Sequence, residues 1–178
     1  MKKQLLASLA KKILIKYKPQ IIGVAGSAGK TSTKEAIYTV LRAKFKHQVA
    51  RSLENYNSEI DLPLAVIGSP DAGDSFIRWF WILGKGLRLW LFGEAQDFPK
   101  VLVLEMGTAK PGDMAGLLKL VPCQIGVLTS LGSSHVEAFG SPENMAKEMG
   151  QIVTRLPKTG FAVLNADEKS VLAFKDKV

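Results

Sequence analysis

Four short apolar runs punctuate the chain, and each stops at a glycine or a polar residue. Residues 21–25 (IIGVA) lead into a glycine-rich loop and residues 101–104 (VLVL) into Glu105. Residues 125–128 (IGVL) lead into Thr129 and Ser130, and residues 161–164 (FAVL) into Asn165. Unbroken runs of this length predict buried strands of a parallel sheet covered on both faces. The stretches between them carry helical spacing. Ala36, Ile37, Val40 and Leu41 form one apolar face after the first run, with Lys34, Glu35 and Arg42 assigned to solvent. Residues 142–156 open with Ser141 as cap and Pro142 in the first turn, and Met145, Met149, Ile152, Val153 and Leu156 share a face. Strands alternating with helices predict an α/β fold with a three-layer parallel sheet. Ligands of such sheets bind beyond the C-terminal strand ends, where each of the polar residues ending a run falls.

Two segments stand apart from this alternation. Residues 1–19 read as a basic amphipathic helix, with Leu5, Leu6, Leu9 and Ile13 at helical spacing among lysines. Lys11 and Lys12 cut the apolar run too early for a secretory signal, so a cytoplasmic protein is expected. Within the main unit, 20–178, residues 75–93 look like an insertion: FIRWFWILGKGLRLWLF at 76–92 holds all three tryptophans. At about 100° per residue, Arg78, Lys85 and Arg88 fall within an arc of about 80° and leave a broad apolar surface. The segment is too short and too charged to span a bilayer. Two readings stand open: a peripheral contact with the inner membrane face, or packing against other protein. Packing is favoured, because exposed apolar patches more often mark protein contacts.

Composition narrows the class only a little. With 178 residues, 47% hydrophobic and 22% charged, the chain suits one folded domain with a core. A formal net charge of +8 favours anionic partners, meaning nucleotides, nucleic acid or an acidic membrane, without choosing among them. Cys123 is the only cysteine, which excludes an internal disulfide; beside an apolar run it reads as a buried structural thiol.

The chemistry concentrates in GVAGSAGKTSTKE at 23–35. Cradling phosphate needs backbone N–H groups turned into one small volume, and Gly26 and Gly29 allow the chain to curl there. Ser27, Ala28 and Ser32 complete the loop and the helix start. Lys30 can neutralise the β and γ phosphates of ATP, Thr31 offers a hydroxyl to Mg²⁺, and the helix beginning here adds its positive end. Val24 stands where the usual loop opens with glycine, so the loop is a variant, G-S-A-G-K-T. Glu105, ending a buried strand, suits a second Mg²⁺ contact. His135, in LGSSHVEAFGS, is by spacing alone more often structural than a ligand. His47 has no such setting.

Four stretches together resemble the Mur ligases, ATP-dependent enzymes that add amino acids to the peptidoglycan precursor. They are GVAGSAGKTSTKE, ENYNSEIDLPL at 54–64, VLEMGTAKPGDM at 103–114, and LTSLGSSHVEAFGSPENMAKE through LPKTGFAVLNADE. The likeness leans to the branch that joins D-alanyl-D-alanine to UDP-N-acetylmuramoyl-tripeptide. It implies a P-loop central domain binding ATP and Mg²⁺, with Glu105 and His135 serving the metal ions. It also implies Asn165 near the nucleotide, and Asn55 and Asn57 beside the triphosphate and acyl substrate. The implied reaction passes through an acyl-phosphate to an amide, with no nucleic acid involved. Folylpolyglutamate and cyanophycin ligases share the architecture and remain alternatives.

Two departures qualify the resemblance. Many family members hold a second magnesium with a carbamylated lysine; here Met149 takes that position. Lys147 lies two residues away, about 200° around the helix. The second departure is length: the resemblance implies a preceding UDP-sugar domain and a following amine-receiving domain, and a central sheet continuing past LNADE. The expectation is therefore a fragment or split gene product, incomplete at the C-terminus and not competent alone, with a partner chain supplying the rest. A catalytically impaired nucleotide-binding scaffold is the second reading.

Overall fold

A computed structural model describes residues 2–53, 60–132 and 136–178. Asn55, Asn57 and His135 lie outside the described residues. The apolar runs form the expected parallel strands: β1 (Gln20–Ala25), β3 (Val101–Glu105), β4 (Ile125–Leu128) and β5 (Phe161–Leu164). A further strand, β2 (Val49–Arg51), joins them to give the order β2-β3-β1-β4-β5, every neighbouring pair parallel. Three residues with a terminal arginine leave no readable apolar run, so β2 has no signal in the sequence.

The register brings the strand ends together. Val24 pairs with Glu105 and Ala25 with Leu128, so the C-terminal ends of β3, β1 and β4 stand side by side. Alternation then divides the side chains between two faces. Ile22, Val24, Val49, Val103 and Val127 pack against Ile37, Tyr38 and Leu41 of α2 (Lys30–Phe45). The other face carries Ile21, Ala25, Leu102, Leu104 and Leu128 into the larger core. That core includes α1 (Lys2–Tyr17), α3 (Asp61–Ile67), α4 (Phe76–Phe92), α5 (Asp113–Leu120) and α7 (Pro142–Thr154), and α6 (Val136–Phe139) and α8 (Lys169–Leu172) add Phe139 and Val171 to it. The three-layer α/β sheet is therefore present.

Several side chains lie elsewhere than the pattern predicts. On α2 the inward stripe is buried Lys34 with half-buried Ile37, Tyr38 and Leu41; Ala36 is exposed and Val40 is 70% exposed. Lys34, assigned to solvent from its charge, is only 1% exposed because a carboxylate partner waits inside. On α1, Leu6, Leu9 and Ile13 are buried as expected, with Ala10 and Leu14, whereas Leu5 faces outward. Ser141 does cap α7, its Oγ accepting from Asn144 N at 3.2 Å. α7 lies so close to the sheet that a Cβ on Gly126 would run into the Ile152 carbonyl.

The aromatic segment is helix α4, capped by Ser75, whose Oγ accepts from Arg78 N. One strip, Trp79, Ile82, Gly86 and Leu89, is buried. Tyr17 Oη and Lys16 Nζ donate to Leu89 O, at 2.7 and 3.1 Å, and Lys16 also to Trp90 O at 2.8 Å, satisfying carbonyls of the last turn. The rest of the helix keeps large apolar side chains exposed. Among the described residues no helix is long and apolar enough to cross a membrane. Cys123 is buried, and burial pushes its thiol up to about 12.

Candidate functional site

β1 stops at Ala25 and α2 starts at Lys30, so four residues must reverse the chain. Gly26 (φ 144°) and Gly29 (φ 77°) take backbone conformations that side chains disfavour. Gly26 also lies flush against the end of β4: a Cβ there would collide with Thr129 Oγ1 and come within 2.9 Å of Ser130 N. That strand end braces the loop. Ser27 N donates to Ser130 O (2.9 Å), Ala28 N to Ser130 Oγ (2.8 Å), and Thr129 Oγ1 to Ala28 O (2.6 Å). Lys30 folds back across the loop, its Nζ donating to Gly26 O at 2.9 Å. The result is a shallow cleft lined by Ser27, Ala28, Gly29, Lys30, Thr31, Ser32 and Glu105.

Glu105 reaches this cleft from β3 although it is only 2% exposed. Its Oε2 accepts from Thr31 Oγ1 at 2.9 Å and faces Lys34 Nζ at 3.5 Å, and its backbone N donates to Ser52 Oγ at 3.1 Å. Lys34 also faces Glu35 Oε1 at 3.5 Å, and Arg51 Nε donates to Glu35 at 2.7 Å. The hydrogen bond from Arg51 holds the Glu35 carboxyl below the usual range, and Glu35 raises the Arg51 guanidinium in return. Alternating charges thus run from Arg51 through Glu35 and Lys34 to Glu105. A buried carboxylate costs several kcal/mol unless paired, and Lys34 supplies that pairing while fixing the group's aim.

The hydroxyl of Thr31 and the carboxylate of Glu105 are two hard oxygens already in contact at the lip of the cleft, a donor pair that suits Mg²⁺ completed by water and phosphate oxygens. Among the described residues no three His, Cys, Asp or Glu side chains converge on a metal position. Asn165 sits at the end of β5 and donates from Nδ2 to Thr129 O at 3.0 Å, so it abuts the strand end that braces the loop. Beside the loop lies a second cavity, lined in part by Gly26, Ser27, Lys30, Thr108, Glu137 and Met149. Met149 Sδ is 3.7 Å from Ser27 Oγ, and Lys147 is exposed elsewhere on α7.

The sequence reading assigned no role to Lys34, Ser52, Thr129 or Ser130. For Lys34 a signal existed: positions 34, 37, 38 and 41 repeat at helical spacing, and only the assumption that lysine seeks solvent hid it.

A sequence profile described as the Mur ligase middle domain matches residues 24–77 and 86–178. The UDP-N-acetylmuramoyl-tripeptide--D-alanyl-D-alanine ligase of Mycobacterium leprae (strain TN) is 30% identical over 174 residues, which cover 96% of this chain and 28% of that protein. The ligase of the same name from Bacillus subtilis (strain 168) is 30% identical over 163 residues, covering 92% of this chain and 30% of that protein. The crystal structure of MurF ligase from Thermotoga maritima in complex with ADP matches 99% of this chain and 34% of its own, at 29% identity and a TM-score of 0.72. The chain therefore spans less than a third of the length of the two curated relatives.

Proposed function

This chain belongs to the Mur ligase family as its middle domain, and on that premise we propose that it binds Mg-ATP and activates a carboxylate for amide formation. The whole protein, on this reading, joins D-alanyl-D-alanine to UDP-N-acetylmuramoyl-tripeptide. The observation carrying the proposal is the Thr31–Glu105 contact beside a glycine loop on one sheet edge. Loop amides that Ser130 does not hold take the phosphates, and Lys30 exchanges its bond to Gly26 O for the β and γ phosphates. Thr31 and Glu105 would hold Mg²⁺, which would supply charge neutralisation there. The tripeptide carboxylate attacks the γ-phosphorus in line, ADP departs with the bridging oxygen, and an acyl-phosphate forms. The amine of D-alanyl-D-alanine then attacks the acyl carbon, losing a proton as phosphate leaves.

His135 joins Glu105 in serving the metal ions, Asn55 and Asn57 border the acyl substrate, and Asn165 borders the nucleotide. Segments corresponding to the rest of the relatives, on this or a partner chain, hold the UDP-sugar and the incoming amine. ATP and a UDP-linked precursor place the reaction in the cytoplasm. In the whole protein, ADP release is expected to require the muramyl tripeptide. Hydroxylamine should then capture the acyl group as a hydroxamate in the absence of D-alanyl-D-alanine. ADP release indifferent to the tripeptide would end the ligase reading.

Met149 supports a second reading, of nucleotide binding with impaired turnover. It is 5% exposed and lines the cavity beside Ser27, where the resemblance implies a metal-holding carbamylated lysine. In the whole protein with bicarbonate present, Met149→Lys should raise the ligation rate by about tenfold or more, with ATP affinity changed by less than about twofold. Equal ligation rates would dispose of this reading.

A further inference from the structure

We infer that the outer face of α4 docks on an anionic lipid surface, independently of the reaction proposed above. The helix has two apolar strips rather than one. At about 100° per residue, the buried strip of Trp79, Ile82, Gly86 and Leu89 lies opposite an outer strip of Phe76, Ile77, Phe80, Trp81, Leu87 and Leu91. Phe80 and Trp81 are 69% and 72% exposed, so the described residues leave the outer strip largely uncovered. A contiguous aromatic and aliphatic face of this kind marks a contact surface.

Charge identifies the occupant. Arg78 and Arg88 are exposed along one edge of the strip, with Lys85 beside them donating to Gly68 O at 2.6 Å. On the other edge Lys12 of α1 places Nζ 3.8 Å from the Trp90 ring centroid. No acidic residue occurs in the helix. The carboxylate bordering its outer groove, Asp97, is occupied in accepting from Glu94 N at 2.9 Å. Apolar bulk flanked on both sides by cations is the arrangement of a helix lying in a bilayer interface, with rings at headgroup depth and basic groups on lipid phosphates. The seat is peripheral, since α4 cannot cross.

A protein partner is the competing occupant, and the basic flanks of the strip favour lipid over it. The formal net charge of +8 acts in the same direction, drawing the chain towards anionic lipid.

The test is flotation of the 178-residue chain with vesicles of phosphatidylcholine alone and with a quarter phosphatidylglycerol, followed also by tryptophan emission. Flotation with a blue shift is expected on the anionic vesicles and much less on the neutral ones. Arg78→Gln/Arg88→Gln should weaken partitioning by roughly tenfold or more at low salt, and Phe80→Ser/Trp81→Ser should abolish it. Both variants change exposed side chains far from the loop, so unchanged Mg-ATP binding certifies their fold. Absence of flotation with anionic vesicles overturns the proposal. So does flotation that survives Phe80→Ser/Trp81→Ser. A dimer by light scattering that this variant dissociates, without any lipid binding, would hand the face to a second copy of the chain.

Discussion

Gly26→Ala is expected to weaken Mg-ATP binding by at least about a hundredfold and to lower stability by about 2–4 kcal/mol. Two costs combine at this residue. Its φ of 144° is one that an alanine rarely adopts. Its added Cβ would also meet Thr129 Oγ1 and lie 2.9 and 3.0 Å from Ser130 N and O, of which the backbone atoms cannot rotate aside. Relief requires the loop to lift from β4, breaking the Ser27–Ser130 bond and moving the amides that face phosphate. Gly73→Ala is the matched control: φ is 52° and nothing lies within 4 Å of its Cβ. It should cost about 1 kcal/mol and leave nucleotide affinity alone. Urea unfolding and calorimetric titration measure both effects. Equal losses of affinity in the two variants would mean that the close approach to β4 is unimportant.

Glu105→Ala should be the most damaging single change to the charged site. Among the described residues it leaves Lys34, 1% exposed, with Glu35 at 3.5 Å as its one charged neighbour, and should cost about 3–5 kcal/mol. It also removes one of the two oxygens offered to magnesium, so nucleotide uptake should lose its magnesium dependence. A double change separates the two roles. Replacing the pair by Lys34→Met/Glu105→Leu should return stability to within about 1 kcal/mol of the parent, because a filled apolar site needs no counter-charge. Magnesium dependence should stay lost. If the double variant regained magnesium-dependent binding, Glu105 would be a structural partner of Lys34 and nothing more.

How much of this was legible in advance depended on how local each feature is. β1, β3, β4 and β5 were readable because each is a continuous apolar run, and Ser141 and Pro142 marked the start of α7 because capping is decided within a few residues. Loop residues 27–32 and Glu105 are legible in the sequence, and the structure brings them to one cleft. Nothing local announced β2, whose three residues are held by pairing to β3 rather than by their own pattern. The bracing of the loop by Thr129 and Ser130 was equally hidden, since it needs β1 and β4 paired across about a hundred residues of chain. Lys34 was misplaced because its burial depends on a carboxylate seventy-one positions away. α4 was read as a helix with one broad apolar surface; its division into a packed strip and an open one follows from where α1 and α3 lie.

The central claim is that the glycine loop at 26–30 wraps a triphosphate whose metal is shared by Thr31 and Glu105. The most direct measurement is calorimetric titration of ATP into the folded chain, with and without magnesium. One site per chain, filled far more tightly when magnesium is present, is the predicted result. A chain shown by circular dichroism to be folded, yet giving the same weak or absent uptake in both conditions, would contradict it.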